Sequence, residues 1–139
     1  MNLVSTSGTF VFIVIGLYFF AKNENDPKKA KQDILLYSVV PSLIFGASGH
    51  LVLAKQVRGW QKWGNSPGLV TLQRELGLFT LALLAVALWK REVDVGLIWG
   101  IFLVLTGLNH IIVQKKITDV AVADIVYGAF LLKVFGERT

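Results

Sequence analysis

The chain has 139 residues, with 54% hydrophobic and 17% charged side chains, and its mean hydropathy is +0.61. Soluble domains are less apolar and more highly charged, and disordered segments are polar, so both classes are excluded. The absence of cysteine excludes disulfides, thiolate metal sites and thiol nucleophiles. The length suits one domain that covers residues 1–139.

The net charge of +5 does not indicate a nucleic-acid-binding protein. All but two of the 14 Lys and Arg residues lie at the ends of apolar segments or between them, the exceptions being Arg74 and Lys133. Because no basic stripe with interleaved aromatic residues is present, nucleic acid is excluded as a partner. Cations in this pattern are typical of a membrane protein that touches anionic lipid head groups.

Five apolar segments follow one another, and each has about 20 residues, enough helix to cross about 30 Å of hydrocarbon. Backbone N–H and C=O groups find no water in a bilayer, so uninterrupted apolar segments of this length predict helices. We therefore expect an all-α integral membrane bundle of five transmembrane helices in the cell membrane. The segments are Val4–Ala21, Ile34–Ala54, Val70–Trp89, Val93–Val113 and Thr118–Gly136.

Charged residues, a proline and polar connecting stretches interrupt this pattern of apolar segments. The fifth segment carries Asp119, Asp124 and Lys133, so the alternative is four spans with an interfacial last helix. Pro41 lacks a backbone donor and predicts a kink in the second segment. Two longer stretches between the segments are interpreted as loops: Lys22–Asp33 and Lys55–Leu69.

The distribution of cations predicts the orientation. More of the 14 Lys and Arg residues belong to the side of the first and third connections and the C-terminus than to the opposite side. The positive-inside rule then predicts an N-terminus outside the cell and a C-terminus inside it. Trp60 and Trp63, in the second connection, are expected at the level of the lipid head groups.

Four ionisable residues lie near the ends of four different segments: His50, Glu75, His110 and Asp124. Because successive segments run in opposite directions, all four side chains are expected at a similar depth on one side of the membrane. Small residues such as Gly46, Gly107 and Gly128 share helix faces with three of them. Small residues let membrane helices approach closely, so these faces are expected inside the bundle.

Two imidazoles and two carboxylates are a competent ligand set for a transition metal, and we predict that these four residues bind one. Zinc, iron, manganese and copper are the candidate metals. Haem b held by His50 and His110 is an alternative that suits the nearby carboxylates less well. Gln73, Arg74 and Asn109 are expected to hydrogen bond to the ligands.

Other hypotheses use the same residues. One is a path for protons or a small solute with Glu75 and Asp124 as its relay, and another is a structural hydrogen-bonded network in which Arg74 neutralises a carboxylate. The small size and glycine-rich faces favour a non-catalytic accessory subunit of a respiratory or oxygenase complex, or a homo-oligomer. The motif Gly96-x-x-x-Gly100 serves either contacts within the bundle or dimerisation. No nucleophile–histidine pair is recognisable, so no reaction is assigned.

A series of short motifs covers about residues 35–135: Gly49-His50, Gly59-Trp60, Ser66-Pro67, Gln73-x-Glu75-x-Gly77, Gly107-x-x-His110-Ile111 and Asp124. Their order resembles a family of small bacterial and archaeal multi-pass membrane proteins described only as a domain of unknown function. The resemblance implies a multi-pass membrane fold with this set of ionisable residues, and it implies no activity.

Overall fold

The computed structural model describes residues 3–137, which form an all-helical bundle without a strand. Leu35–Val39 continues the helix between α2 and α3 in the π conformation, so Pro27–Leu51 is one continuous helix. Within the described range the α-helices are α1 (Leu3–Lys22), α2 (Pro27–Ile34), α3 (Val40–Leu51), α4 (Ala54–Gln61), α5 (Pro67–Lys90), α6 (Asp94–Gln114) and α7 (Asp119–Gly136).

Four of these helices are long and apolar enough to cross a membrane, which confirms the expected all-α membrane architecture at this level. α7 has 18 residues, and its three charged side chains separate it from this apolar set. The four candidate spans are Val4–Lys22, Pro27–Leu51, Pro67–Lys90 and Asp94–Gln114.

The second helix begins at Pro27, well before the predicted start at Ile34. The Asp26 side chain caps it by accepting a hydrogen bond from the Lys29 backbone N–H at 3.1 Å, and proline is favoured in the first turn. The predicted loop Lys22–Asp33 is therefore wrong over its second half. Hydropathy alone does not register a polar helical turn that is stabilised by a cap.

The predicted disturbance of the second helix at Pro41 takes the form of a π-helical segment. Val40 donates its backbone N–H to the carbonyl of Leu35, five residues earlier. Proline has no N–H for the carbonyl four residues before it, and the wider π turn changes the hydrogen-bond register just ahead of Pro41.

The predicted loop Lys55–Leu69 contains the short helix α4, which is a further correction. α4 ends where Lys62 adopts a left-handed conformation with φ of 57°, and the Trp63 backbone N–H bonds to the Arg58 carbonyl at 3.0 Å. The chain therefore turns back immediately after α4. We call the end of the bundle at which this helix lies the α4 end.

α7 reaches both ends of the bundle. At the α4 end, the Thr6 hydroxyl donates to the Asp119 carboxylate at 2.8 Å. At the opposite end, the Lys31 ammonium donates to the Glu137 carbonyl. α7 thus runs antiparallel to α6 across the whole bundle, and it packs more extensively on α6 than any other pair of helices pack on each other.

Glycine lets α6 and α7 approach this closely. A Cβ atom on Gly128 would lie 2.7 Å from the Gly100 carbonyl oxygen, and one on Gly107 would lie 2.8 Å from the Ala121 carbonyl oxygen. Gly96 faces the Phe135 ring of α7. The Gly96-x-x-x-Gly100 motif is therefore used within the bundle, in the manner of small-residue packing in membranes.

A hydrogen-bonded network crosses the middle of the bundle. Ser38 donates to the Phe12 carbonyl at 2.7 Å and therefore accepts from the Tyr127 hydroxyl at 2.8 Å. Trp99 donates its indole N–H to the Ser42 hydroxyl at 3.0 Å. The network joins α1, the second helix, α6 and α7. Beyond it, toward the end opposite α4, the core is closely packed by apolar side chains that include Ile34, Leu35, Val39, Val95 and Leu131.

We expect Gly128→Ala to destabilise the bundle by about 1–3 kcal/mol, because the added methyl group would collide with backbone atoms of α6 that cannot rotate away. The matched control is Gly59→Ala on α4, where an added Cβ meets no atom within 4 Å. Thermal unfolding of the purified proteins in detergent measures the difference. Equal unfolding temperatures for the two variants would contradict the packing argument.

Candidate functional site

A cavity of about 150 Å³ lies inside the bundle at the α4 end, and we call it the central cavity. It begins beneath α4 and extends to the hydrogen-bonded network at mid-bundle. Its polar lining includes Ser42, His50, Thr106, His110, Asp124 and Tyr127. A wider crevice of about 590 Å³ between α5 and α6 shares Trp63, Phe102 and His110 with it.

The central cavity brings together three of the four predicted site residues. His50 comes from the C-terminal turn of α3, His110 from the C-terminal part of α6, and Asp124 from the second turn of α7. These three side chains come from separate helices and line one interior space.

Glu75, the fourth predicted residue, is not part of the central cavity. Its side chain is exposed on α5, whereas Gln73, two positions earlier, is buried. Successive residues of an α-helix are about 100° apart, so positions 73 and 75 point to nearly opposite sides. At the α4 end, α5 therefore directs the Gln73 amide, and not the Glu75 carboxylate, into the bundle.

Trp63 is packed beside both histidines. Its ring lies 6.4 Å from the His50 ring with an interplanar angle of 4°, and 6.2 Å from the His110 ring with an angle of 22°. The left-handed turn at Lys62 directs this indole back toward the cavity. Trp63, which the sequence places at the level of the lipid head groups, also forms part of the cavity wall.

A buried guanidinium organises the α4 end. Arg58 is only 9% exposed and donates to the Asn65 side chain at 2.9 Å and to the Gln73 carbonyl oxygen at 2.7 Å. The Gln73 amide nitrogen in turn donates to the Ala54 carbonyl at 3.1 Å and lies 3.5 Å from Nδ1 of His50. These contacts fasten α4 and the loop after it to α5.

The network also specifies how His50 is held. Because the Gln73 oxygen accepts from Arg58, the Gln73 amide nitrogen is the group that faces Nδ1 of His50. A neutral His50 therefore accepts at Nδ1 and carries its proton on Nε2. The Gln114 amide makes a similar contact, 3.4 Å from Nδ1 of His110.

Three residues are expected from the sequence to hydrogen bond to the site residues, and the structure places one of them in contact with a histidine. Gln73 contacts His50 as predicted, but Arg74 and Asn109 are exposed. The cation in the polar network is Arg58, and its partners are neutral amides. Val57 and Gln61, one helical turn apart in the Lys55–Leu69 stretch, both line the cavity. This spacing is the signal that could have revealed α4 as its cover.

The predicted metal site finds no support in the part of the chain that the structure describes. Among residues 3–137, no group of three His, Asp or Glu side chains is placed so that it could hold a metal ion. Cavities of about 150 Å³ hold guests of about the size of benzene. The central cavity is therefore too small for a haem macrocycle.

Comparison with known proteins finds no matching family model, no matching curated protein and no matching solved structure. The resemblance to a family of unknown function stays a prediction, and the interpretation of the site depends on the residues of this chain.

We expect Gln73→Leu to destabilise the protein by about 1–3 kcal/mol, because it removes the carbonyl oxygen that accepts from the buried Arg58. Glu75→Gln on the same helix is the control, and its effect should stay within about 0.5 kcal/mol because that side chain is exposed. Thermal unfolding in detergent reports both values. A larger effect of Glu75→Gln than of Gln73→Leu would reverse the assignment of the inward-facing residue.

Proposed function

We propose that this chain is an integral membrane protein that binds a small solute in the central cavity, with His50, His110 and Asp124 as the polar groups that recognise it. The observation that carries the proposal is the convergence of these side chains from three helices on one small cavity. Small-molecule sites commonly combine a mainly apolar wall with a few convergent polar groups.

Binding is favoured over conduction because the two halves of the bundle differ. The central cavity occupies the α4 half, whereas the opposite half is filled by side chains such as Ile34, Leu35 and Leu131, each at most 1% exposed. A relay of Glu75 and Asp124 has no support, since Glu75 lies outside the cavity. A pocket confined to one half of the bundle fits a binding site better than a continuous proton path.

Five spans, with α7 as the fifth, belong to the same proposal. An 18-residue helix is about 27 Å long, close to the thickness of the hydrocarbon core. The contacts of Asp119 with Thr6 and of Glu137 with Lys31 at opposite ends of the bundle support a transmembrane course. The free-energy cost of burying charge is reduced because Asp124 faces the cavity and Lys133 lies near the helix end.

The cation distribution leads us to propose that the N-terminus and the α4 end face outside. The solute would then reach the central cavity from the outer face of the membrane or through the crevice between α5 and α6. Association with a second copy or with a larger membrane complex stays a prediction, since the exposed apolar side chains of α1 and α5 suit lipid chains and partner helices equally.

The absence of cysteine allows a direct test of this topology. We expect a membrane-impermeant maleimide added to intact cells to label Lys116→Cys, and to label Glu24→Cys and Glu137→Cys only after the membrane is opened. Labelling of both Lys116→Cys and Glu137→Cys in intact cells would indicate an interfacial α7. The reverse pattern at all three positions would invert the orientation while keeping five spans.

Solute binding can be tested with three small probes of similar shape and different charge. They are the cation choline, the neutral alcohol in which a tert-butyl group replaces trimethylammonium, and the anion in which a carboxylate group in turn replaces the hydroxymethyl group of that alcohol. We expect at least one probe at millimolar concentration to raise the unfolding temperature of the purified protein, because a guest that binds only the folded state stabilises it.

Gly49→Leu should abolish this stabilisation, because Gly49 lines the cavity and a side chain there would fill the space. A Cβ atom on Gly49 would lie 3.7 Å from the Val57 side chain, an ordinary contact distance that leaves room for the substitution. Gly59→Leu on the outer face of α4 is the matched control and should respond as the wild type does. Absence of binding by all three probes, or equal binding by Gly49→Leu, would refute a solute site in the central cavity.

A further inference from the structure

The charged groups around the central cavity indicate which charge a bound small molecule carries. This inference rests on the proposed function. Asp124 is the one carboxylate among the lining residues, and the described residues place no Lys or Arg side chain in the lining. Arg58 carries the positive charge of the polar network at the α4 end. Its guanidinium donates hydrogen bonds to Asn65 and Gln73. The negative charge that the lining can present to a guest is therefore that of the Asp124 carboxylate.

Asp124 also lacks a partner within the described part of the chain. Among the described residues it makes no hydrogen bond and no ion pair. Other acids in the bundle differ, since Asp119 accepts from Thr6 and Asp33 accepts from the Asn23 side-chain amide at 3.0 Å. A carboxylate away from bulk water is costly without a donor or a positive charge, so Asp124 is suited to an external one.

The rest of the wall is rich in aromatic rings. Trp99 and Phe102 stack at 5.4 Å, and Phe12 and Phe45 meet edge to face at 5.7 Å. With Trp63, these side chains all line the central cavity. The faces of aromatic rings carry partial negative charge and attract cations, most strongly when both are shielded from water.

We infer that the central cavity binds an organic monocation of about the size of choline, whose ammonium group lies between the Asp124 carboxylate and the aromatic wall. The volume of about 150 Å³ suits a compact guest of this size. The imidazoles of His50 and His110 add hydrogen-bonding capacity for a polar substituent on the guest. An anion would be repelled by the Asp124 carboxylate, and no Lys or Arg among the described lining residues offsets this repulsion.

The choline series tests charge at nearly constant shape. We expect choline to bind the wild-type protein at least tenfold more tightly than its neutral tert-butyl isostere, and the carboxylate to bind most weakly. Thermal-shift titrations in detergent give the apparent dissociation constants. A tenfold difference corresponds to about 1.4 kcal/mol, within the range of a shielded cation–π contact assisted by a carboxylate.

Variants of α7 locate the source of the preference. In Asp124→Asn, the apparent dissociation constant of choline should lie within about twofold of that of the isostere. Continued binding of the isostere to this variant would show that the cavity is intact. Asp124→Glu keeps the charge and should keep a preference for choline. Asp119→Asn is the matched control, because Asp119 bonds to Thr6 and does not line the central cavity, and it should behave as the wild type.

The outcomes separate this inference from the proposed function. If the isostere or the carboxylate binds as tightly as choline, or if Asp124→Asn keeps the preference, the monocation is excluded and a solute site remains. Zinc chloride that binds more tightly than choline and requires Asp124 would identify a metal ion as the guest and overturn the inference. If no probe binds, the proposed function itself fails.

Discussion

A hydrocarbon environment offers no hydrogen-bond partner, so a polar side chain placed inside a membrane bundle has to find its partner on a neighbouring helix. The bundle satisfies this constraint at two levels. At mid-bundle, the hydroxyls of Ser38, Ser42 and Tyr127 and the Trp99 indole bond to one another and to backbone carbonyls. At the α4 end, Arg58 and Gln73 do the same with amide and carbonyl oxygens. Asp124 lies between these two levels, and among residues 3–137 it has no such partner.

The two networks also explain why the space between them stays open. The mid-bundle network holds α1, the second helix, α6 and α7 together and forms the floor of the cavity. The Arg58 network fastens α4 across the top, where Val57 and Trp63 complete the wall. Glycine on the facing surfaces of α6 and α7 lets those helices pack backbone to backbone. α5 and α6 touch much less, and the crevice lies between them.

The candidate site could be predicted in part. His50, His110 and Asp124 were recognisable because each is an isolated ionisable residue near a segment end, beside small residues that mark an inward face. Glu75 also lies near a segment end, but its side chain is exposed and does not point into the bundle. On α5 the neighbouring Gln73 occupies the inward face, and hydropathy does not separate the two when both lie among apolar residues. The role of Arg58 could not be foreseen, because it depends on α4, a helix that appears in sequence as a polar, tryptophan-containing loop.

Length and hydropathy by themselves determined the all-helical membrane architecture, because a bilayer permits few ways to satisfy a backbone and an apolar segment of about 20 residues is sufficient to span it. They also determined the order of the long helices and the position of each ionisable residue along its helix. Only the tertiary structure decided which of those residues meet. That outcome depends on the rotation of each helix about its own axis, which is set by packing contacts such as Gly100 against Gly128 and by the anchoring of α4 through Arg58. A rotation of about 200° between Gln73 and Glu75 changes no hydropathy average, yet it separates a side chain held inside the bundle from one on its surface.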